Sequence, residues 1–360
     1  MKGEVIYLYA FDVANEIKTD EIKDVLANRV APFEIRTDHT SPKDMPMYKP
    51  LSLEPSQPVS DWGGQEIFPR IRIYDIGVIS IAIHVPFVVN SIPELMPFHT
   101  PFFNQEQSLD QLARRLCTEA CTSLKEIMIR TSPLLEPEAY TVFCITEMPG
   151  QDQDLGNWFS ENRMAIADLL TENHPGILNP MQVNEVLKVY HSYSTSDITI
   201  IDWDAALMVD LTGYVEDTVY VLELANLQLE EYRVMDQRLD RYLNKAYESI
   251  QRKRFGTFRG NESVLRKLRE LRVDVTKLND EVTHITKFFG DWYLARVYLG
   301  ARERFHLDEW RTSVQDRLEH VDTLYTVTQS ELTNSRMFWM ELMIVIFFAI
   351  ELYASFFLKK

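Results

Sequence analysis

Proline divides this chain. All sixteen prolines fall in its first half, and from Val215 to the end there is none. Proline inside a helix removes a backbone donor and collides with the preceding turn, so its absence leaves the second half free to run as long helices. The first half carries the turns that a mixed domain needs. An α+β domain is therefore expected over 1–212, with helical texture beyond Gly213.

Within 1–212, strand and helix signals alternate. "EVIYLYA" (4–10) reads as a buried strand and 19–27 as a short helix. "RIRIYDIGVISIAIHVPF" (70–87) reads as two β-rich runs joined by a turn at Asp75-Ile76-Gly77, which is a hairpin signal. An amphipathic helix is expected over 108–129 with Ser108 as N-cap, then a strand over 139–146 and a helix over 158–173. Residues 191–211 supply one or two further strands, and the proline-rich interval 37–69 reads as a long loop.

Beyond residue 213, apolar residues recur every three or four positions: Val219, Leu222, Ala225, Leu229, Tyr232, Met235, Leu239, Tyr242 and Ala246. Leu268, Leu271, Val275, Leu278, Val282, Ile285 and Phe289 form a second series, and Trp310, Val314, Leu318, Val321, Tyr325 and Leu332 a third. Such spacing predicts a coiled-coil stalk over 213–336, closed either as an intramolecular hairpin or between copies.

The chain then closes on "MFWMELMIVIFFAIELYASFFLKK". Residues 337–358 are long enough, at about 33 Å as a helix, to cross a bilayer core of ~30 Å. One C-terminal transmembrane helix is therefore expected, and 1–17 lacks the pattern of a signal peptide. Together these predict a tail-anchored protein of the bacterial inner membrane with a cytoplasmic body. Glu341 falls near the membrane interface and Glu351 about 5 Å from the midpoint, where an ionised acid costs on the order of 2.5–3.5 kcal/mol. Ten positions apart, the two lie about 80° from each other around a helix and share one broad face. That face could meet a partner helix, simply tolerate two neutral acids, or carry protons.

Charge and cysteine usage narrow the function classes. A formal net charge of −17 argues against nucleic acid as a partner. Against that background "QRKRFGTFRGNESVLRKLRELR" (251–272) is basic. If 262–300 and 307–337 form an antiparallel hairpin, this turn lies level with the start of the membrane segment. Arg252, Lys253, Arg254, Arg259, Arg266 and Lys267 would then contact anionic lipid headgroups, at ~1 kcal/mol each. A solvated turn, or a protein or RNA contact, remains the alternative. Cys117, Cys121 and Cys144 are too few for a disulfide framework and read as buried thiols in a reducing compartment.

No nucleotide-binding glycine motif, zinc-protease motif or nucleophile elbow is present. Asp202 and Asp204, with Asp210 nearby, form the nearest approach to a carboxylate cluster. Two apart on a strand, the first pair would face one way and could hold Mg²⁺. No cofactor is implied. The leading expectation is a non-enzymatic scaffold that self-associates through stalk and membrane helix, with a protein partner possible through that helix. The alternative is a membrane-bound metal-dependent enzyme using Asp202, Asp204 and Asp210.

"MELMIVIFFAIEL" (340–352), with Glu341 and Glu351 ten apart, resembles the tail of the required-for-meiotic-nuclear-division (YagE-type) family. "DRLEHVDTLYTVTQSELTNSRMFW" (316–339) is similar to that family's helix leading into the membrane, and "YDIGVISIAI" (74–83) to its N-terminal hairpin. The resemblance implies a membrane-anchored, self-associating protein with no catalytic residues.

Overall fold

Alternation of buried side chains begins in the first strand and organises everything around it. The computed structural model describes residues 1–22, 26, 29–32, 50–55, 59–62, 64–100, 102–104, 107–148, 155–174, 176–211, 215–252, 266, 269–270, 272–273 and 292–357. Strand β1 (Lys2–Asp12) is buried from Val5 onward on both faces, so it must be an interior strand covered on each side.

Its partners complete a nine-stranded sheet among the described residues. In chain order these are β2 (Val30–Pro32), β3 (Leu51–Leu53), β4 (Phe68–Ile73), β5 (Val78–Val88), β6 (Glu138–Glu147), β7 (Tyr190–His191), β8 (Asp197–Ile201) and β9 (Ala205–Asp210). The spatial order is β7-β8-β9-β6-β1-β5-β4-β3-β2. Every pairing is antiparallel except β6 with β9. The hairpin expected over 70–87 is β4–β5, turning through Gly77 at φ +95°, a conformation that costs glycine little. Residues 191–211 form most of three strands rather than one or two. The interval 37–69 is not wholly loop: β3, the start of β4 and a small pairing of Asp61–Trp62 with Gln65–Glu66 lie inside it, while 37–49 fall outside the described residues.

Odd-numbered β1 residues Val5, Tyr7, Tyr9 and Phe11 join Ile79, Ile81 and Ile83 of β5 in one core. Helices α1 (Leu109–Leu124) and α2 (Leu155–Leu170) pack there through Leu112, Leu116, Ile166 and Leu169. Ser108 caps α1, accepting from the Gln111 amide at 3.2 Å. The short α3 (Pro180–Val186) is capped the same way by Asn179. Each fully buried Ile or Leu contributes roughly 1.5–3 kcal/mol. The opposite face of the sheet receives the first half of α4 (Val215–Arg252) and α5 (Trp292–Arg304). Asn226 of α4 donates to the Glu138 carbonyl at 3.2 Å, and Tyr140 of β6 meets Phe305, just after α5, edge-on at 4.8 Å. The sheet is thus the middle of three layers.

Packing divides the chain into two units: Met1–Val234 with Glu281–Trp310, and Met235–Asp280 with Arg311–Lys360. The second contains the end of α4 and most of α6 (Leu307–Phe357). There Arg317 pairs with Asp236 at 2.6 Å and Asp240 at 2.8 Å, while Arg269 donates to the Tyr325 hydroxyl at 3.0 Å. Leu239, Val314 and Val321 are buried.

Two expectations are overturned. Among the described residues no helix is long and apolar enough to cross a membrane. Arg336, Glu341 and Glu351 punctuate the closing segment, and the uncharged run 342–350 between the two glutamates spans only about 14 Å as a helix; Leu358 falls outside the described residues. The transmembrane helix over 337–358, and the tail-anchored inner-membrane location inferred from it, are therefore not supported. Nor do the described residues form a coiled-coil stalk over 213–336. The first half of α4 lies against the sheet, where Val219, Leu222 and Ala225 are buried along with neighbouring polar residues. An apolar series of three-four spacing suits a helix buried on a sheet as well as one paired in a stalk.

Candidate functional site

The carboxylates singled out in the sequence occupy the β8–β9 hairpin. The Asp202 amide donates to the Ala205 carbonyl at 3.0 Å, which leaves Trp203 and Asp204 as a two-residue tip. In a turn, residues two apart no longer share a face. Asp202 is buried and lies 3.7 Å from Arg304 of α5, while the Tyr140 hydroxyl donates to its backbone carbonyl at 3.0 Å. Burial pushes its carboxyl up to about 6, against the opposing pull of Arg304. Arg304 also donates to the Val186 carbonyl at 3.0 Å, tying the end of α5 to α3.

Asp204 keeps different company. Burial raises its carboxyl, Glu172 adds to the rise, and His99 opposes it. His99 sits 3.0 Å from Glu172 through Nδ1, contacts the Leu169 carbonyl through Nε2, and meets Phe143 edge-on at 4.8 Å. Burial lowers the basicity of this imidazole, with Glu172 pulling the other way. Trp203 stands 52% exposed and leans on His306 at 4.9 Å. Asp210 lies at the other end of β9, about 17 Å along the strand, opposite Asp197.

The structure therefore does not bring Asp202, Asp204 and Asp210 together. Among the described residues no group of three or more His, Cys, Asp or Glu side chains could hold a metal ion. Asp202 has its counterpart in Arg304, which ties the base of the hairpin to α5, while Asp204 is influenced by both Glu172 and His99.

The sequence reading missed a row of buried polar residues on α4. Glu223 pairs with Arg72 of β4, both almost fully buried, and accepts from the Tyr74 hydroxyl at 3.2 Å. Gln228 accepts from Tyr298 of α5 at 2.5 Å. Glu230 binds Arg233 through Nε at 3.0 Å, and burial pushes its carboxyl up to about 7 despite that arginine. The available signal was Glu223 and Glu230 themselves, seven apart beside the apolar series of the same helix.

The remaining residues of interest lie on α6. From 337 to 353, thirteen large apolar side chains stand 48–66% exposed. Glu341 and Glu351 are exposed among them. In the basic turn, Arg266 is exposed, and the side chain of Arg252 is not described. Lys253, Arg254, Arg259 and Lys267 fall outside the described residues. With no helix among the described residues long and apolar enough to cross a membrane, the height argument that set this turn among lipid headgroups loses its reference plane.

The family model of the N-terminal domain of uncharacterized protein MJ0711 matches residues 2–215. That range takes in all nine strands of the sheet and ends where α4 begins. The chain belongs to this family. A relative, uncharacterized protein MJ0711 of Methanocaldococcus jannaschii, is 26% identical over 226 residues, covering 63% of this chain and 67% of the relative. The match lies in the N-terminal domain, not in the C-terminal helices that suggested the required-for-meiotic-nuclear-division family, so that assignment is withdrawn.

Proposed function

We propose that this protein is a scaffold that acts by assembly, joining copies of itself through the distal part of α6. The observation that carries this reading is the exposed apolar run over 337–353. Apolar patches beyond a few hundred Å² mark sites of association. With about half of the thirteen side chains on one side, at ~100 Å² exposed each, a partner could cover on the order of 600–700 Å². A specific interface covers roughly 600–1,000 Å² per partner.

A second copy is the occupant that suits this surface best. Exposed large apolar residues elsewhere stand singly, such as Val88, Ile129 and Met181, or as a small group such as Tyr193 with Trp292 at 5.8 Å, and the described residues hold no second run of comparable length. The matching surface on another copy is then the same stretch of α6, which makes the contact self-complementary. No observation favours the metal-dependent reading, because its three aspartates face separate surroundings.

Light scattering on the full chain and on a chain stopped after Arg336 tests the proposal. The full chain should run at a multiple of its monomer mass and the shortened chain at the monomer mass. Equal masses for the two would remove the reading.

A further inference from the structure

Resting on self-association through α6, the structure assigns the pairing to one side of that helix, the side away from Glu341 and Glu351. At 100° per residue the two glutamates flank a common direction, each about 40° from it. Trp339, Ile346 and Ile350 lie on the opposite side, within about 40° of diametrically across, and Leu342 and Tyr353 lie beside them.

Two observations select that side. Val314 and Val321 lower on α6 are buried within their own unit. On a straight helix they point within about 40° of Trp339, Ile346 and Ile350. The stripe that is already buried lower on α6 thus continues, uncovered, into the distal segment. The second observation is the charge. With no helix among the described residues long and apolar enough to cross a membrane, nothing compels the two exposed carboxylates into an apolar contact, and burying them unpaired costs several kcal/mol each. The sequence-based idea that Glu341 and Glu351 themselves meet a partner helix depended on lipid as the surrounding medium. In water the same two residues keep their side solvated and leave the other to the partner.

Ile346 is the midpoint of 339–353, so it meets its own counterpart whether two copies run parallel or antiparallel. The test compares it, in the full chain, with Ile344, which lies on the glutamate side. Ile346→Asp should bring the mass down to that of the monomer, and Ile344→Asp should keep the wild-type mass. Under mild oxidation Ile346→Cys should form a disulfide-linked pair and Ile344→Cys should not, both made in a Cys121→Ser background because Cys121 is half-buried whereas Cys117 and Cys144 are buried. Loss of assembly in both Asp variants, in Ile344→Asp alone, or in neither, overturns the choice of side. A monomeric wild type overturns the self-association reading itself. A monomeric protein that sediments with phosphatidylcholine vesicles also overturns it, naming a lipid surface as the occupant.

Discussion

Two stretches of helix in this molecule invert the usual rule, in opposite directions. The first half of α4 buries polar groups: Glu223, Asn226, Gln228 and Glu230 are each 2% exposed or less. The distal half of α6 exposes apolar ones. In α4 most of the exception is met inside the chain, since Arg72, Tyr74, the Glu138 carbonyl, Tyr298 and Arg233 supply counterparts, while the Gln228 side-chain nitrogen is buried without a hydrogen-bond partner. In α6 the apolar side chains stay exposed within their own unit. A buried polar group therefore says what the body needs to stay folded, and an exposed apolar run says what it needs from outside.

The comparison can be broken most severely at the Arg72–Glu223 pair. Arg72→Ala leaves a buried carboxylate without its main partner and should destabilise the body by about 3–5 kcal/mol. Replacing both residues by apolar ones of similar volume should recover most of that loss, as denaturant titration would show. A small effect of Arg72→Ala would mean that the buried charges of α4 are less committed to the body than their burial implies.

The next effect is that of pH. The Glu230 carboxyl is raised from the ordinary carboxylate range to about 7 by burial. The folded state then holds a proton that the unfolded chain releases. The stabilisation from that proton is fully present below about pH 4.5 and is lost as pH rises through about 7, amounting to on the order of 2–3 kcal/mol. Glu230→Gln should flatten this part of the stability profile. An unchanged profile would show that Glu230 is already ionised against Arg233. Smaller still is Ser108→Ala, which removes the cap of α1 and should cost about 1 kcal/mol. On the α6 side, Ile344→Gln should change the unfolding free energy of the chain by less than about 0.5 kcal/mol, because the side chain is already exposed.

The two regions differed as much in legibility as in chemistry. Local signals held wherever one face was apolar and the turn residues were distinctive. The β4–β5 hairpin announced itself through Gly77, α1 through Ser108, and β1 through its unbroken apolar run. What failed were inferences needing a partner that sequence does not show. The three-four spacing on α4 was compatible with a stalk, and only the sheet beneath it decides otherwise. Asp202 and Asp204 looked aligned on an extended strand, yet a two-residue turn sends them to Arg304 and toward His99. The closing run on α6 read as lipid-facing because Glu341 could be assigned to a membrane interface and Glu351 to a partner helix or a proton, neither of which the sequence itself supplies. The family match, too, lay in residues 2–215, outside the closing segment on which the resemblance chiefly rested.

The central claim is that the apolar surface of α6 is covered by another copy of the chain. A sedimentation-velocity dilution series on the full-length protein, run beside Ile346→Asp, tests this most directly. Wild type should shift toward the monomer as it is diluted, and Ile346→Asp should sediment as a monomer at every concentration. A wild-type protein that sediments as a monomer throughout would contradict the account.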